Sequence, residues 1–311
     1  MHVEVHDSLE PLLPAWGSLF AADPQASSGG RAASRLLRSF SGTVWNYWDI
    51  VASPPVREAV TEAVVGELRG RRGDWDVLAV NGLPPDSPTE AALARAGVRG
   101  RSPTPCPSMA LPSTFDEYLG SLSRSHRGNL SRHLRRLESG EVELRDVRGR
   151  EQISAAVDHW HDIRVRWWDD REKEMTALQR TERYREFIRD LVLELEPAGL
   201  AVVREMRRSD EVVGISINLR DERCLCWWTS GFDPSIAKLG PGKITIGDCI
   251  RTAIADGRDR FDFMVGTEPY KYWFGGTDRL RPRLVYGTSR PRSIAVYAGI
   301  AVADRRRGWS D

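Results

Sequence analysis

The sequence predicts a mixed α/β fold, and its hydrophobic pattern and composition are the two observations behind this prediction. Segments with the helical period alternate with segments of strand period, which is typical of α/β chains. Hydrophobic residues make up 41% of the 311 residues and charged residues 29%, which suits a globular protein with a substantial core. At about 150 residues per domain, we expect two domains, 1–110 and 111–311.

The first third is predicted to contain two helices around a strand. Apolar residues at helical spacing in "VREAVTEAVVGELRGR" predict the first helix, and "WDVLAVNGLP" reads as a short buried strand. A second helix follows in "PPDSPTEAALARAG", with Ser87 or Thr89 as its cap. Residues 100–114 contain four prolines, which predict an extended connection between the two halves.

The second part begins with helices and continues with strands. The segment 113–140 predicts a helix capped by Ser113 or Thr114, divided near Gly128 and ended by Gly140. A strand and two long helices follow, and then three antiparallel strands with period two. The last elements are a Gly-rich turn with its helix and two strands: "GPGKITIGDCIRTAIADG", "DRFDFMV" and "LRPRLVYGTS".

Composition narrows the possible functions. The net charge is +1, so binding to nucleic acid or membrane requires a local basic patch. The N-terminus has no signal-peptide pattern, and the longest apolar run is too short for a bilayer, so we expect a soluble cytoplasmic protein. Four cysteines without a CxxC pair predict buried free thiols and no metal site. Only four lysines occur, so Lys243 and Lys271 indicate sites that need a compact ammonium group.

The segment "GFDPSIAKLGPGKITIGDCIRTAIADGRDRFDFMVGTEPYKYWFGG" resembles the core of the GNAT superfamily of acyltransferases. More narrowly, it is similar to the CelD/BcsL-like branch, which is related to the Fem-type aminoacyl transferases. The upstream "HWHDIRVRW" and the basic helix 124–136 also resemble this branch. The resemblance extends over about residues 114–290 and is loose for 1–110, which would be a degenerate second GNAT half.

The resemblance implies a GNAT fold in which the two strands 224–230 and 259–265 splay apart to hold an acyl donor. The protein would then be an N-acyltransferase that joins an activated acyl or aminoacyl group to a small-molecule amine. The donor would be a co-substrate rather than a tightly bound cofactor: acyl-CoA, acyl-carrier protein or aminoacyl-tRNA. Pro241 removes one amide from the phosphate-binding turn and leaves these alternatives open.

The candidate site residues fall into four groups. His161, Asp262 and Glu268 are alternatives for the general base, and Asp262 could instead pair with an arginine. Tyr270 and Lys271 are expected to contact the donor phosphate or the acyl oxygen. The donor-binding candidates are Gly240, Gly242, Lys243 and Trp228, and the substrate pocket is expected to involve Arg164, Trp167, Trp273 and Phe274.

The basic helix supports a second hypothesis, a non-catalytic GNAT-like module that binds a polyanion such as RNA or an acidic carrier protein. Few acidic residues lie near its arginines, so their charge is available to a partner. The residues expected to bind this partner are Arg127, Arg132, Arg135 and Arg136.

Overall fold

The structure is a computed structural model that describes residues 36–38, 49–50, 52–71, 75, 77–80, 82–83, 87–96, 100–169 and 178–287. Within these residues the strands are β1 Leu36–Arg38, β2 Val77–Val80, β3 Gly100–Ala110, β4 Glu143–Val147, β5 Ala201–Arg208, β6 Glu211–Arg220, β7 Cys224–Phe232, β8 Arg260–Asp262 and β9 Thr277–Gly287. The α-helices described are α1 Arg57–Gly70, α2 Pro88–Arg95, α3 Phe115–Ser121, α4 Arg124–Glu138, α5 Arg150–Asp169, α6 Glu182–Leu195, α7 Pro241–Ala255 and α8 Pro269–Trp273.

The chain divides into two compact units, of which the smaller contains the described residues before 106 and after 278. In this unit β2 pairs in parallel with β1 and antiparallel with β9. Helices α1 and α2 contribute to a core that includes Trp75 and Leu83. The predicted cap of α2 is confirmed, because the Ser87 hydroxyl accepts the Thr89 N–H at 3.1 Å. That this unit is a degenerate GNAT half stays a prediction.

The larger unit, Cys106–Asp278, contains a mixed sheet with the strand order β3-β8-β7-β6-β5-β4. Neighbouring strands are antiparallel except β7 and β8, which are parallel. The segment 100–114 is extended, as predicted, and the division between the two units falls within it, but most of it is strand β3 rather than an unpaired connection. Its prolines at 103, 105 and 107 precede Ser108–Ala110, the residues paired with β8, so the missing N–H groups fall outside these pairs.

Helices pack on both faces of this sheet. Alternate side chains of a strand face opposite sides, and on β5 the Arg204 guanidinium reaches Asp248 of α7. Val203, also buried, therefore faces the other side, where α5 packs. One core cluster includes Leu130 of α4, Ile250 of α7 and Trp227 of β7.

The first helices of the larger unit follow their predicted caps, with one difference. Thr114 and Glu117 form the predicted capping box of α3. The division predicted near Gly128 is wrong, because Gly128 lies inside α4. The break comes earlier, where Leu122 is extended and the Ser123 hydroxyl caps α4 by accepting the His126 N–H at 3.2 Å.

Strand β7 contains a β-bulge next to the candidate site. Ile217 pairs with Thr229 and Leu219 with Cys226, so both Trp227 and Trp228 lie opposite the single residue Asn218. The extra residue reverses the facing of every later side chain on the strand.

The four cysteines are free thiols, as predicted, although Cys226 is only half-buried. Within the described part of the chain, no helix has both the length and the apolar character needed to cross a membrane.

Candidate functional site

A cleft opens between β7 and β8. The two strands pair at only three positions, the last of which joins Cys226 to Asp262. Strand β7 then continues to Phe232, while β8 ends, so the β7 edge from 227 to 232 has no pairing with β8. An extended ligand can add to such an edge through main-chain hydrogen bonds. This loss of pairing agrees with the splayed strands that the sequence implied.

The chain leaves β8 through an unusual backbone conformation at Met264, whose φ is +62°. The Asp262 carboxylate accepts the Met264 N–H at 2.7 Å. Lys271 is 2% exposed and donates to the carbonyls of Met264 at 3.3 Å and Val265 at 2.7 Å. Its third contact is Glu268, at 2.9 Å. Each proton of the ammonium group thus has an acceptor within this loop.

The open end of the cleft leads to the N-terminus of α7. Gly240, with φ +72°, turns the chain from the 3-10 helix Pro234–Leu239 into α7. The N–H groups of Lys243 and Ile244 both donate to the Gly240 carbonyl. Pro241 has no N–H, so within the first turn the Gly242 amide is the one available to an external anion. The helix dipole adds partial positive charge at the same place.

Helix α4 places further polar groups at this N-terminus. Lys243 donates to the Asn129 side chain at 2.9 Å and lies 4.6 Å from the centre of the Trp273 ring. His133 contacts the Leu239 carbonyl through Nδ1 at 2.9 Å, so Nδ1 carries the proton. The His133 ring also fills the space beside Gly240, where a Cβ atom would come within 2.5 Å of Cε1.

The charge environment keeps His133 neutral. Burial lowers its pKa, and the positive charges of Lys243, Arg136 and Arg132 lower it further, against the opposing hydrogen bond to Leu239. The structure therefore brings the predicted donor-binding residues Gly240, Gly242 and Lys243 together with the predicted polyanion-binding residues Arg132 and Arg136.

The remaining arginines of α4 extend this positive region. Arg127, Arg132 and Arg135 are exposed, and none of them has an ion-pair partner among the described residues. Arg136 is half-buried and lies 3.7 Å from Glu141. The exposed guanidinium groups can therefore bind an anionic partner without first breaking an ion pair within the described part of the chain.

Tyr270 lies where β7 and β8 separate. Its phenol lies near the indole of Trp227, the first β7 residue beyond the last pair. The residue is 38% exposed overall, but burial of the phenol and the nearby Glu268 carboxylate raise its pKa. The hydroxyl therefore stays protonated and can donate a hydrogen bond.

The aromatic residues assigned to the pocket and the donor site have different environments. Phe274 is 0% exposed and belongs to the core. Trp273 is half-buried between His126 and Lys243. Trp228 is half-buried on the bulge of β7.

The predicted residues of α5 form a separate group. His161 is buried and donates through Nε2 to the Gln179 carbonyl at 3.0 Å, while its Nδ1 lies 4.0 Å from the Asp162 carboxylate. Arg164 donates to the Thr229 hydroxyl at 2.8 Å on β7, and burial lowers its pKa. Trp167 packs edge-on against Phe232. Within the described residues, the hydrogen bond, ion pair and ring contact of His161 do not reach the Asp262–Lys271 group.

Sequence reasoning did not assign roles to Asn129 and His133. They are four residues apart and therefore share one side of α4, but nothing in the local sequence shows that this side meets α7.

A surface pocket of about 370 Å³ lies at the other end of β7 and β8. Its walls are charged, and two of its residues, Arg223 and Asp259, are paired with each other at 2.6 Å, so it is a poor candidate for the site. It is lined by Asp221, Glu222, Arg223, Asp259 and Arg260.

Comparison with known proteins agrees with this geometry. The sequence profile of the acetyltransferase (GNAT) domain family matches residues 124–272. A search of curated proteins finds no significant match.

Solved structures share the fold at low sequence identity. FemX has 9% identity and a TM-score of 0.59, covering 87% of this chain and 85% of its own. The C-terminal domain of an Agrobacterium fabrum protein assigned as a lysylphosphatidylglycerol synthetase has 12% identity and a TM-score of 0.57, covering 88% and 84%. L-PGS from Bacillus licheniformis has 11% identity and a TM-score of 0.57, covering 96% and 97%.

Proposed function

Because residues 124–272 of this chain match the acetyltransferase (GNAT) domain family, we propose that the protein is an N-acyltransferase acting on the amine of a small molecule. The predicted GNAT resemblance and fold are confirmed at the level of the domain. The observation that carries the proposal is the cleft between β7 and β8, which leads directly to the positive N-terminus of α7.

The donor would bind along this path. Its extended arm adds to the free edge of β7 between 227 and 232, as a short extra strand would. Its phosphate groups lie at the turn before α7, where the Gly242 amide, Lys243 and Arg132 offer one hydrogen-bond donor and two positive charges. Half-buried Trp228 forms part of the cleft wall.

The reaction needs two proton transfers. The acceptor amine attacks the acyl carbon, a C–N bond forms, and the bond from the acyl carbon to the donor's sulfur or oxygen breaks. A base removes the proton from the amine, and the Tyr270 hydroxyl gives a proton to the leaving sulfur or oxygen. His161 is our first candidate for the base, because its Nε2 is engaged with the Gln179 carbonyl and its Nδ1 is the nitrogen that would accept the proton.

Calorimetric titration with coenzyme A and acetyl-CoA tests the proposal. We expect Lys243→Met to weaken binding by about ten- to a hundredfold, the value of one charge-assisted hydrogen bond to phosphate. Lys238→Met is the matched control, since Lys238 is exposed on the preceding 3-10 helix and forms no hydrogen bond or ion pair with the described residues. Equal affinities for the two variants would contradict the assigned phosphate site.

A donor carried on a larger polyanion remains the alternative if coenzyme A releases no heat. The arginines of α4 that are exposed and without ion-pair partners in the described part of the chain favour this version. They also favour the second candidate function, a non-catalytic module that binds a polyanion. Arg132→Glu with Arg135→Glu should weaken binding of a tRNA mixture or an acidic carrier protein and reduce its salt dependence. Arg148→Glu with Arg183→Glu, also at exposed positions, is the control. Turnover that is lost in Tyr270→Phe while this binding persists would identify an enzyme rather than a module.

A further inference from the structure

We propose that Asp262 and Lys271 are positioning residues that hold Met264 in its left-handed conformation and thereby keep β8 apart from β7. The inference rests on the proposed function, since the cleft it concerns is the proposed donor site. It replaces a direct chemical role for these two side chains with a mechanical one.

The first argument is the backbone at Met264. A positive φ is uncommon for a residue other than glycine, asparagine or aspartate, and it persists only where the surroundings impose it. Met264 is 4% exposed and lies two residues beyond the last residue of β8 that pairs with β7. Its conformation lies at the place where a straight strand would continue beside Trp228.

The second argument is that the two charged side chains hold both sides of this residue. Asp262 accepts its N–H, and Lys271 donates to its carbonyl and to that of Val265. Both side chains are buried, at 3% and 2% exposure. Burial of charge is costly unless hydrogen bonds satisfy it, and here the partners of the lysine are loop carbonyls and Glu268.

The third argument is the residue type. An ammonium group offers three protons in a compact tetrahedral arrangement, which suits two successive carbonyls and a carboxylate. The planar guanidinium of arginine does not fit this set. The choice of lysine here is notable in a chain with only four lysines among its 45 basic residues.

Rescue by a second substitution separates positioning from catalysis. Lys271→Met should weaken coenzyme A binding about tenfold, since a residue other than glycine prefers right-handed to left-handed backbone by about this factor. Glycine adopts positive φ freely, so adding Met264→Gly should restore most of the affinity. A catalytic lysine cannot be rescued in this way.

Asp262 offers variants that keep or remove the hydrogen bond. Asp262→Asn retains an oxygen that can accept the Met264 N–H, so binding should stay within about threefold of wild type. Asp262→Leu removes the acceptor and should behave like Lys271→Met, including rescue by Met264→Gly. Strong loss of turnover in Asp262→Asn with normal binding would overturn the proposal, because it would assign the charge itself to the chemistry.

Hydrogen exchange provides a readout without ligand. In Lys271→Met we expect faster exchange at 264–268 and altered protection at 227–232, with both reversed by Met264→Gly. If this pattern appears although wild-type protein does not bind coenzyme A, the positioning role stands and the assigned donor is wrong. If wild-type protein binds coenzyme A through Lys243 but Met264→Gly restores neither affinity nor exchange, the positioning role is wrong and the proposed function stands.

Discussion

Replacing Gly240 by alanine tests the turn that begins the proposed phosphate site. The residue has φ +72°, a conformation that costs a non-glycine residue about 1–2 kcal/mol. The added Cβ would also lie 2.5 Å from Cε1 of His133, and relieving such an overlap costs about 1–3 kcal/mol. We therefore expect Gly240→Ala to lower the free energy of unfolding by about 2–5 kcal/mol.

Gly257→Ala separates the two contributions. Gly257 has the same φ of +72°, but no heavy atom lies within 4 Å of its added Cβ, so only the backbone cost of about 1–2 kcal/mol applies. In a His133→Ala background, Gly240→Ala should cost no more than Gly257→Ala. Wild-type protein, the three single variants and the double variant are compared by urea unfolding at constant m value. Equal losses for Gly240→Ala and Gly257→Ala in the wild-type background would refute the contact between Gly240 and His133.

Three further outcomes follow from the same structure. The pKa of His133 lies below its ordinary value of 6.5, so the unfolded chain binds a proton first and stability falls as the pH drops below about 6.5. His133→Gln should flatten this decline in urea unfolding, and an unchanged slope would contradict the assignment. Asp248→Asn breaks the buried 2.7 Å pair with Arg204 and should cost about 3 kcal/mol. The exposed control Asp256→Asn should cost less than about 1 kcal/mol by the same measurement. Thr114→Ala removes the cap of α3, with an expected loss of about 1 kcal/mol in thermal unfolding.

Much of the larger unit could be predicted from local pattern. Apolar and polar residues alternate with period two in the strands β5 to β7, and the Gly-Pro-Gly turn predicts the start of α7. Thr114 and Glu117 are close in sequence, so the capping box is readable without the fold. These features depend on neighbours within a few residues.

The missed features depend on contacts between distant parts of the chain. The prolines before Ser108 suggest a connection, but β8 supplies partners to the residues that follow, and the segment becomes strand β3. Nothing in the local sequence of Met264 announces a positive φ, because long-range packing and two charged side chains impose it. Similarly, His133 and Leu239 meet across more than a hundred residues of sequence.

The bulge on β7 determines which side chains of this strand face the hydrophobic core. Trp227 and Phe232 both enter the same hydrophobic core, yet they are five residues apart, and on a regular strand an odd separation places two side chains on opposite faces. The extra residue brings both side chains to the same face of the strand. It also turns Gly231 toward the backbone of α5, which would have to shift slightly to accommodate a Cβ atom at this position. Deleting Trp228 would remove the bulge itself. Trp227 and Phe232 would then be four residues apart, so a regular strand would keep both on the core face, and β7 would lose the local kink and twist that the bulge provides.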